Sequence, residues 1–474
     1  MHTASEWYLG IDIGTGSCKC AVIDSDGQPL SVQGRPYPHQ GEGTRWKTQQ
    51  PEAVYRGMLN AVQAAVKDAG ISPQGCRGVG LGGALRGLVA LDGKGKPLTP
   101  LFTWADDRAA GQAGAIRGTP RAAALYQKTG CPAHGMYPLY KIIWLQENQP
   151  HVFQQAARLV SAKEYVFSRL TGELLVDYSL ASGTGLLDIH RLAWNPDSLH
   201  AAGITADTLS PLTGPRTCLP VTAPDFLQET GLPDNVPLVL GSSDAANSNL
   251  GAGAVIPRQA TCMIGTSGAY RVISPRPLLS EGGETWCYCL DEDHWLVGGA
   301  LNNGGLVVSW LRERLSAAAG GELSFQQLLT GAEQIDPGSG GLLCLPLLAG
   351  ERSPGWDLDA RGVFFGMSTD HDLRHLTRSA LEGIAFRLRT LDRILEDLSG
   401  PIDEVRASGG FTRSPFWTQL TADVLNRPLM VSTQGDTSAL GAAFWALTAD
   451  NRVKDLEDME GDRVQGHRSF PPAG

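Results

Sequence analysis

Asp12 and the residues just after it, Gly14, Thr15, Gly16 and Ser17, have the chemistry to meet a phosphate. A glycine-rich turn offers backbone N–H groups, and Thr and Ser add hydroxyls. The glycines lack the spacing of a dinucleotide fingerprint, and no GxxxxGK[ST] loop occurs in the chain. A carboxylate beside phosphate is repelled unless a divalent cation lies between them, and Mg2+ takes one or two carboxylates together with phosphate oxygens. Asp12 therefore reads either as a Mg2+ position facing a Mg-nucleotide or as part of an ordinary Asx/Gly turn. A second turn of the same type, Gly265-Thr266-Ser267-Gly268, lies far along the chain. Two such turns, one per domain, can clamp a polyphosphate from both sides of a cleft. Asp244, in Gly241-Ser242-Ser243-Asp244-Ala245-Ala246-Asn247, follows an apolar run and precedes small residues. That places it at a strand C-terminus, where open α/β sheets hold their ligands. Taken by itself, Asp244 reads first as a helix N-cap.

These groups need elements to hold them. The first turn lies between apolar, strand-like runs at 7–10 and 19–24, so a hairpin is expected there rather than a strand–helix unit. The pattern recurs over 261–273. Two structurally related α/β domains are therefore expected, 1–240 and 241–474, with the boundary placed where Pro233 and Pro237 lead into a strand. Helical periodicity marks 51–68, 140–147, 162–170, 306–315, 372–397 and 414–425. The polar tail 450–474 is expected to be a surface appendage.

Composition narrows the class. The 474 residues are 42% apolar and 19% charged, a globular balance with room for large cores. With 39 basic and 49 acidic side chains the formal charge is −10, which argues against a nucleic-acid or membrane partner. No run reaches the about 18 apolar residues of a membrane span, and Glu6 with no earlier Lys or Arg argues against a secretory signal. Nine cysteines without a regular framework fit a reducing, cytoplasmic setting. The pairs Cys18/Cys20 and Cys287/Cys289 are expected to be structural rather than zinc ligands.

The chain resembles the FGGY family of carbohydrate kinases over nearly its whole length. Two patterns carry the resemblance: Met136-x-Pro138-x-x-Lys141-Ile142-x-Trp144-Leu145-x-Glu147-Asn148, and Gly362-x-Phe364-x-Gly366-Met367 followed after seven residues by His375-Leu376-x-x-Ser379-Ala380-Leu381-Glu382. It implies an α/β fold of two ribonuclease-H-like, actin-like ATPase domains flanking a deep cleft, and an enzyme using ATP and Mg2+. It implies that Asp12 and the Thr15–Ser17 turn form the first phosphate loop, with Asp12 toward the metal, and that Gly265, Thr266 and Ser267 form the second. Gly305 matches a nucleotide-contact glycine, and Gly409, Gly410 and Ser414 match the adenosine loop. Asp244 matches the base that takes the sugar hydroxyl proton, a role that fits phosphoryl transfer.

On the sugar side, relatives carry Met-His-Gly in pentulose kinases and Met-His-Ser in gluconate kinases, where this chain has Leu85-Arg86-Gly87. Arg86 can hold a sugar-acid carboxylate bidentately or pair with a protein carboxylate. Trp104-x-Asp106-x-Arg108 matches a sugar-side motif in which Asp106 would accept sugar hydroxyls and Trp104 form a wall; Tyr137 lies in the first family pattern. The segments 176–188, 265–271, 293–305 and 348–354 resemble gluconate kinases. The expected substrate is a small open-chain sugar or sugar acid phosphorylated at a terminal hydroxyl, with gluconate first and D-xylulose or another pentulose as the alternative. A non-metabolic actin-like ATPase is the rival class, and Asp244, Trp104 and Asp106 argue against it. A homodimer is left open as the assembly.

Overall fold

A computed structural model describes residues 6–38, 46–319, 321–432, 436–455, 458 and 467–473. The apolar run at the start forms the strand Trp7–Ile13, buried at every position, as a strand covered on both faces must be. It pairs antiparallel with Ser17–Asp24, Ile13 opposite Cys18, so the predicted hairpin closes over residues 14–16. Its other edge pairs parallel with Cys76–Gly83, which in turn pairs parallel with Pro237–Val239. Pro29–Pro36 and Cys218–Pro220 complete this six-stranded sheet.

The second sheet repeats the plan. Gln259–Ile264 pairs antiparallel with Gly268–Ser274 on one side and parallel with Glu404–Ser408 on the other. Trp295–Leu301 continues the antiparallel side, and Leu429–Ser432 the parallel side. Trp286–Cys289 and His467–Phe470 are the edges of this seven-stranded sheet. In each lobe a three-stranded antiparallel meander leads into two parallel strands, the duplication that two similar hairpins predicted. The two ribonuclease-H-like lobes are the expected α/β architecture.

Helices cover both sheets. Pro51–Ala69, Pro138–Asn148, Ala162–Thr171, Gly305–Ala319, Leu373–Ser399 and Pro415–Leu425 fall where the periodicity places them. Asp372 caps the longest by accepting from the backbone N–H groups of Arg374 and His375. Of the helices that the periodicity did not mark, Thr437–Ala446 bears most on the site. Nearly every residue in it is buried, so it has no polar face to give a periodic signal. It packs on Trp7–Ile13 and Cys76–Gly83 of the first sheet and on the helix Asp244–Gly251. A Cβ at Gly10, Gly80 or Gly251 would collide with its backbone, so these glycines let the elements cross at close range. Of the tail expected at the surface, residues 456–457, 459–466 and 474 lie outside the described residues, and its strand His467–Phe470 joins the second sheet. Among the described residues no helix is long and apolar enough to cross a membrane.

Candidate active site

The two turns face each other across a cleft of about 780 Å³ lined by Asp12, Gly14, Thr15, Gly16, Ser17, Asp244, Gly265, Gly409 and Gly410. Each turn is closed by its first glycine: the Gly14 N–H donates to Ser17 O (3.1 Å) and the Gly265 N–H to Ser267 O (2.9 Å). The Tyr37 hydroxyl and the Gln49 amide hold the carbonyls of Gly14 and Thr15 from behind. The second turn is held by the start of the helix Gly305–Ala319, where the N–H groups of Gly305 and Leu306 donate to Gly265 O (2.7 Å) and Thr266 O (3.1 Å). Beside it opens a more apolar cavity of about 420 Å³, lined by Thr266, Gly305, Val308, Gly410, Phe411, Ser414 and Trp417. Gly265 and Gly410 line both spaces, so they adjoin. Gly409 has φ of 101°, and a Cβ there would strike Ile264 O, so this loop requires glycine. The Ser414 hydroxyl accepts from the Trp417 N–H and caps the next helix.

Three carboxylates gather at the cleft floor. Asp12, 3% exposed at the end of its strand, keeps Oδ2 at 2.6 Å from the Ser438 hydroxyl, while Oδ1 has no partner. Ser438 also lies 2.7 Å from Asp436 Oδ1 and has one proton to share between them. Lys19 pairs with Asp436 at 2.6 Å, leaving Asp12 without a cation of its own. Burial, then the neighbouring charges of Asp244 and Asp436, push the Asp12 carboxyl up to about 7. An orphaned buried oxygen within a negative cluster fits a divalent cation shared with phosphate. Among the described residues no three His, Cys, Asp or Glu side chains lie close enough together to hold a metal ion by themselves.

Asp244 is not the helix cap. Ser243 takes that place, accepting from the Ala246 N–H, and Asp244 is the first helical residue. Its Oδ1 accepts from the N–H groups of Ala245 (2.8 Å) and Leu85 (3.3 Å). Burial raises its pKa against the opposing pull of Arg86 and Arg271. A carboxylate fixed through one oxygen beside both turns can accept a proton in the cleft.

The sugar-side expectations need correction at three residues. Asp106 is fully buried and spent: Arg108 grips it at 2.6 and 2.9 Å, and the Lys47 N–H adds 2.9 Å, so no oxygen is left for a sugar hydroxyl. Tyr137 is also fully buried, its hydroxyl 2.8 Å from that of Tyr288; it backs Arg86 and does not border the cleft. Leu85 acts through its N–H on Asp244, with its side chain buried. Trp104 is half-buried and lines a small cavity with Gly14, Thr15 and Leu85. Arg86 pairs with no carboxylate among the described residues. It donates from Nη2 to Tyr288 (2.9 Å), lies over the rings of Tyr137 and Tyr288, and keeps a buried, unpartnered Nε.

Lys141 lies in the first family pattern, whereas no motif singled out Arg271 or Arg352 as site residues. Lys141 donates to Arg86 O (2.9 Å) and Thr103 O (2.6 Å), tying the Arg86 and Trp104 loops together. Burial pushes it down to about 7. Arg271 and Arg352 are buried guanidiniums with unpartnered nitrogens. Arg271 lies on the strand directly after the second turn, a signal the sequence did offer.

Such a cleft between paired actin-like lobes is the working site of a sugar kinase, and this chain is one. It belongs to the FGGY family of carbohydrate kinases: residues 7–251 match the family's N-terminal domain and residues 260–449 its C-terminal domain. Kinases of this family use ATP. A gluconokinase of Bacillus subtilis (strain 168) is 35% identical over 460 residues, 96% of this chain and 89% of its own. A xylulose kinase of the same organism is 28% identical over 476 residues, 98% and 93%. The crystal structure of a gluconate kinase from Lactobacillus acidophilus superposes with a TM-score of 0.93 at 30% identity, covering 99% of this chain and 94% of that one.

Proposed function

We propose that the protein transfers the γ-phosphate of ATP to the terminal hydroxyl of gluconate, giving 6-phosphogluconate. The observation that carries this reading is Arg86: a half-buried arginine whose charge acts on Asp244, that pairs with no carboxylate among the described residues and keeps a buried, unpartnered Nε. Such a group is costly to bury alone and favours an anionic substrate. The relatives named gluconokinase and gluconate kinase support the same substrate.

On this reading Asp244 takes the proton of the attacking hydroxyl. Gly14, Thr15, Gly16 and Ser17 bind phosphate from one lobe, and Gly265, Thr266 and Ser267 from the other. Gly305, Gly409, Gly410 and Ser414 shape the place of the adenosine. Trp104 walls the sugar. Asp12 would hold Mg2+ or its bound waters, and that ion would supply charge neutralisation at the phosphates. The chain divides at about residue 240 into a sugar-side and a nucleotide-side domain, and the enzyme works in the cytoplasm.

A coupled assay of ADP release against sugar acids and ketopentoses tests the proposal. Gluconate should give the highest kcat/KM. D-xylulose is the second reading, favoured by Gly87, which matches the Met-His-Gly pattern of pentulose kinases rather than Met-His-Ser. Outright preference for D-xylulose would overturn the gluconate assignment and leave the kinase class standing.

A further inference from the structure

Arg86, Arg271 and Arg352 each have buried, unpartnered nitrogens, Arg86 on a half-buried residue and the other two on buried ones, and none forms an ion pair among the described residues. They are not equivalent. Arg86 is engaged by Tyr288 and lies over two tyrosine rings. Arg352 donates to Leu301 O (2.9 Å) and lies over Trp104. Arg271 has two orphaned nitrogens, Nε and Nη1, is 7% exposed, and alone of the three lines the large cleft. It shares that cleft with Gly14, Ser17, Gly265 and Asp244, the groups between which a phosphoryl group must travel.

Its placement is rigid. The strand Gly268–Ser274 starts at the end of the second turn, and Arg271 sits in its middle, opposite Thr261 and Gly298 in the two flanking strands. The turn and the backbone of Arg271 therefore hold a fixed spacing. Burial pushes Arg271 down to about 10, which leaves it a cation at neutral pH.

We propose that Arg271 is a catalytic residue that donates its free N–H groups to the oxygens of the phosphoryl group in transit. The inference rests on the reading of Asp244 as the base. The substrate's terminal O–H gives its proton to the Asp244 carboxylate, and the freed oxygen bonds to the γ-phosphorus. The bond from that phosphorus to the β–γ bridging oxygen breaks, its electron pair staying on that oxygen of ADP. Asp244 returns its proton to water as products leave. Charge shifts onto the oxygens around the moving phosphorus, and a guanidinium already fixed there stabilises it without reorganisation.

The test uses the full chain with Arg271→Gln and the conservative Arg271→Lys, both checked for native melting. Arg271→Gln should lower kcat by about 10²–10³-fold, the usual loss for one preorganised donor. KM for gluconate and for MgATP should stay within about threefold, the signature of an interaction made only in the transition state. Calorimetry gives a readout independent of turnover. Affinity for ADP with aluminium fluoride and gluconate should fall by a similar factor, while affinity for ADP alone is unchanged. Guanidinium ion should restore part of the activity of Arg271→Ala. A raised KM for gluconate with kcat intact, and no effect on a neutral sugar, would instead make Arg271 a carboxylate clamp and overturn the proposal; unchanged kinetics would also overturn it. Should gluconate not be the substrate, the same split is measured on the sugar that is. Full activity of Asp244→Asn would remove the base assignment, whereas loss of the fluoride-complex affinity would still report on Arg271.

Discussion

Asp12→Asn should make the apoprotein more stable and the enzyme worse, with an effect that depends on pH. Asp12 ordinarily ionises near 3.8 and is here pushed up to about 7, chiefly by burial. Below pH 3.8 the carboxyl is protonated in both folded and unfolded chains, and the shift costs nothing. Between 3.8 and 7 the unfolded chain releases the proton first, so folding loses stability as pH rises; above 7 the loss is complete. At about 1.36 kcal/mol per decade the full penalty is on the order of 4 kcal/mol. Asn keeps an oxygen for Ser438 but must satisfy its own amide, so roughly 2–4 kcal/mol of that should be recovered. For a lobe of this size that is roughly 5–15 °C in Tm at pH 8, shrinking toward zero near pH 4. Thermal melts of both proteins in chelator, at pH 4.5, 6 and 8, read this directly. Mg-ADP should close the gap by stabilising the wild type more. A Tm difference that is flat with pH, or a less stable variant at pH 8, would show that the Asp12 carboxylate is already compensated, and the cation argument would fall.

Asp244→Asn keeps the acceptor oxygen for the N–H groups of Leu85 and Ala245 but loses proton affinity. Its kcat should fall at least about 10²-fold, with ATP affinity by calorimetry unchanged. Arg86→Ala should raise KM for gluconate by about one to two decades, the range of a charge-assisted hydrogen bond, and leave D-xylulose kinetics nearly unaltered. Equal losses for both sugars would make Arg86 a support for its loop. Gly80→Ala drives a methyl group into the backbone of the helix Thr437–Ala446 at Ala442. Urea unfolding should show a loss of about 3 kcal/mol or more, because neither backbone can yield cheaply.

The parts legible in the sequence are those whose signal is local. Apolar runs interrupted by Gly-Thr-Ser turns give both hairpins, and the amphipathic stripes of 51–68 and 372–397 give helices within two residues of those observed. The helix Thr437–Ala446 escaped because burial all round erases the stripe, although it joins the lobes. Ser243 and Asp244 are both able caps, and only backbone geometry shows that the serine caps and frees the aspartate for the cleft. Asp106 fits a sugar-contact pattern by spacing. Its carboxylate is taken by Arg108, two residues on, and spacing does not say where that side chain turns. Arg271 and Arg352 owe their importance to burial without an ion-pair partner among the described residues, which arises only when distant segments meet.

The charges left unbalanced explain how one cleft can demand both substrates. On one side Asp12 and Asp244 are held above their ordinary pKa by burial, Asp12 also by the charge of Asp244. On the other, Arg271 and Arg352 are held below theirs for the same reason, Arg271 at about 10 and Arg352 at about 9. The protein does not pair these sets fully, since doing so would fill the cleft with its own side chains. On the proposed reading, a metal-bound polyphosphate would relieve both at once, with Asp12 holding the cation and Arg271 donating to phosphate oxygens. Arg86 differs, because the tyrosines and Asp244 around it raise its pKa against the pull of burial, and what it would offer an acid group on the acceptor is its free Nε. The polyphosphate would therefore bind by ending a cost the apoprotein already carries.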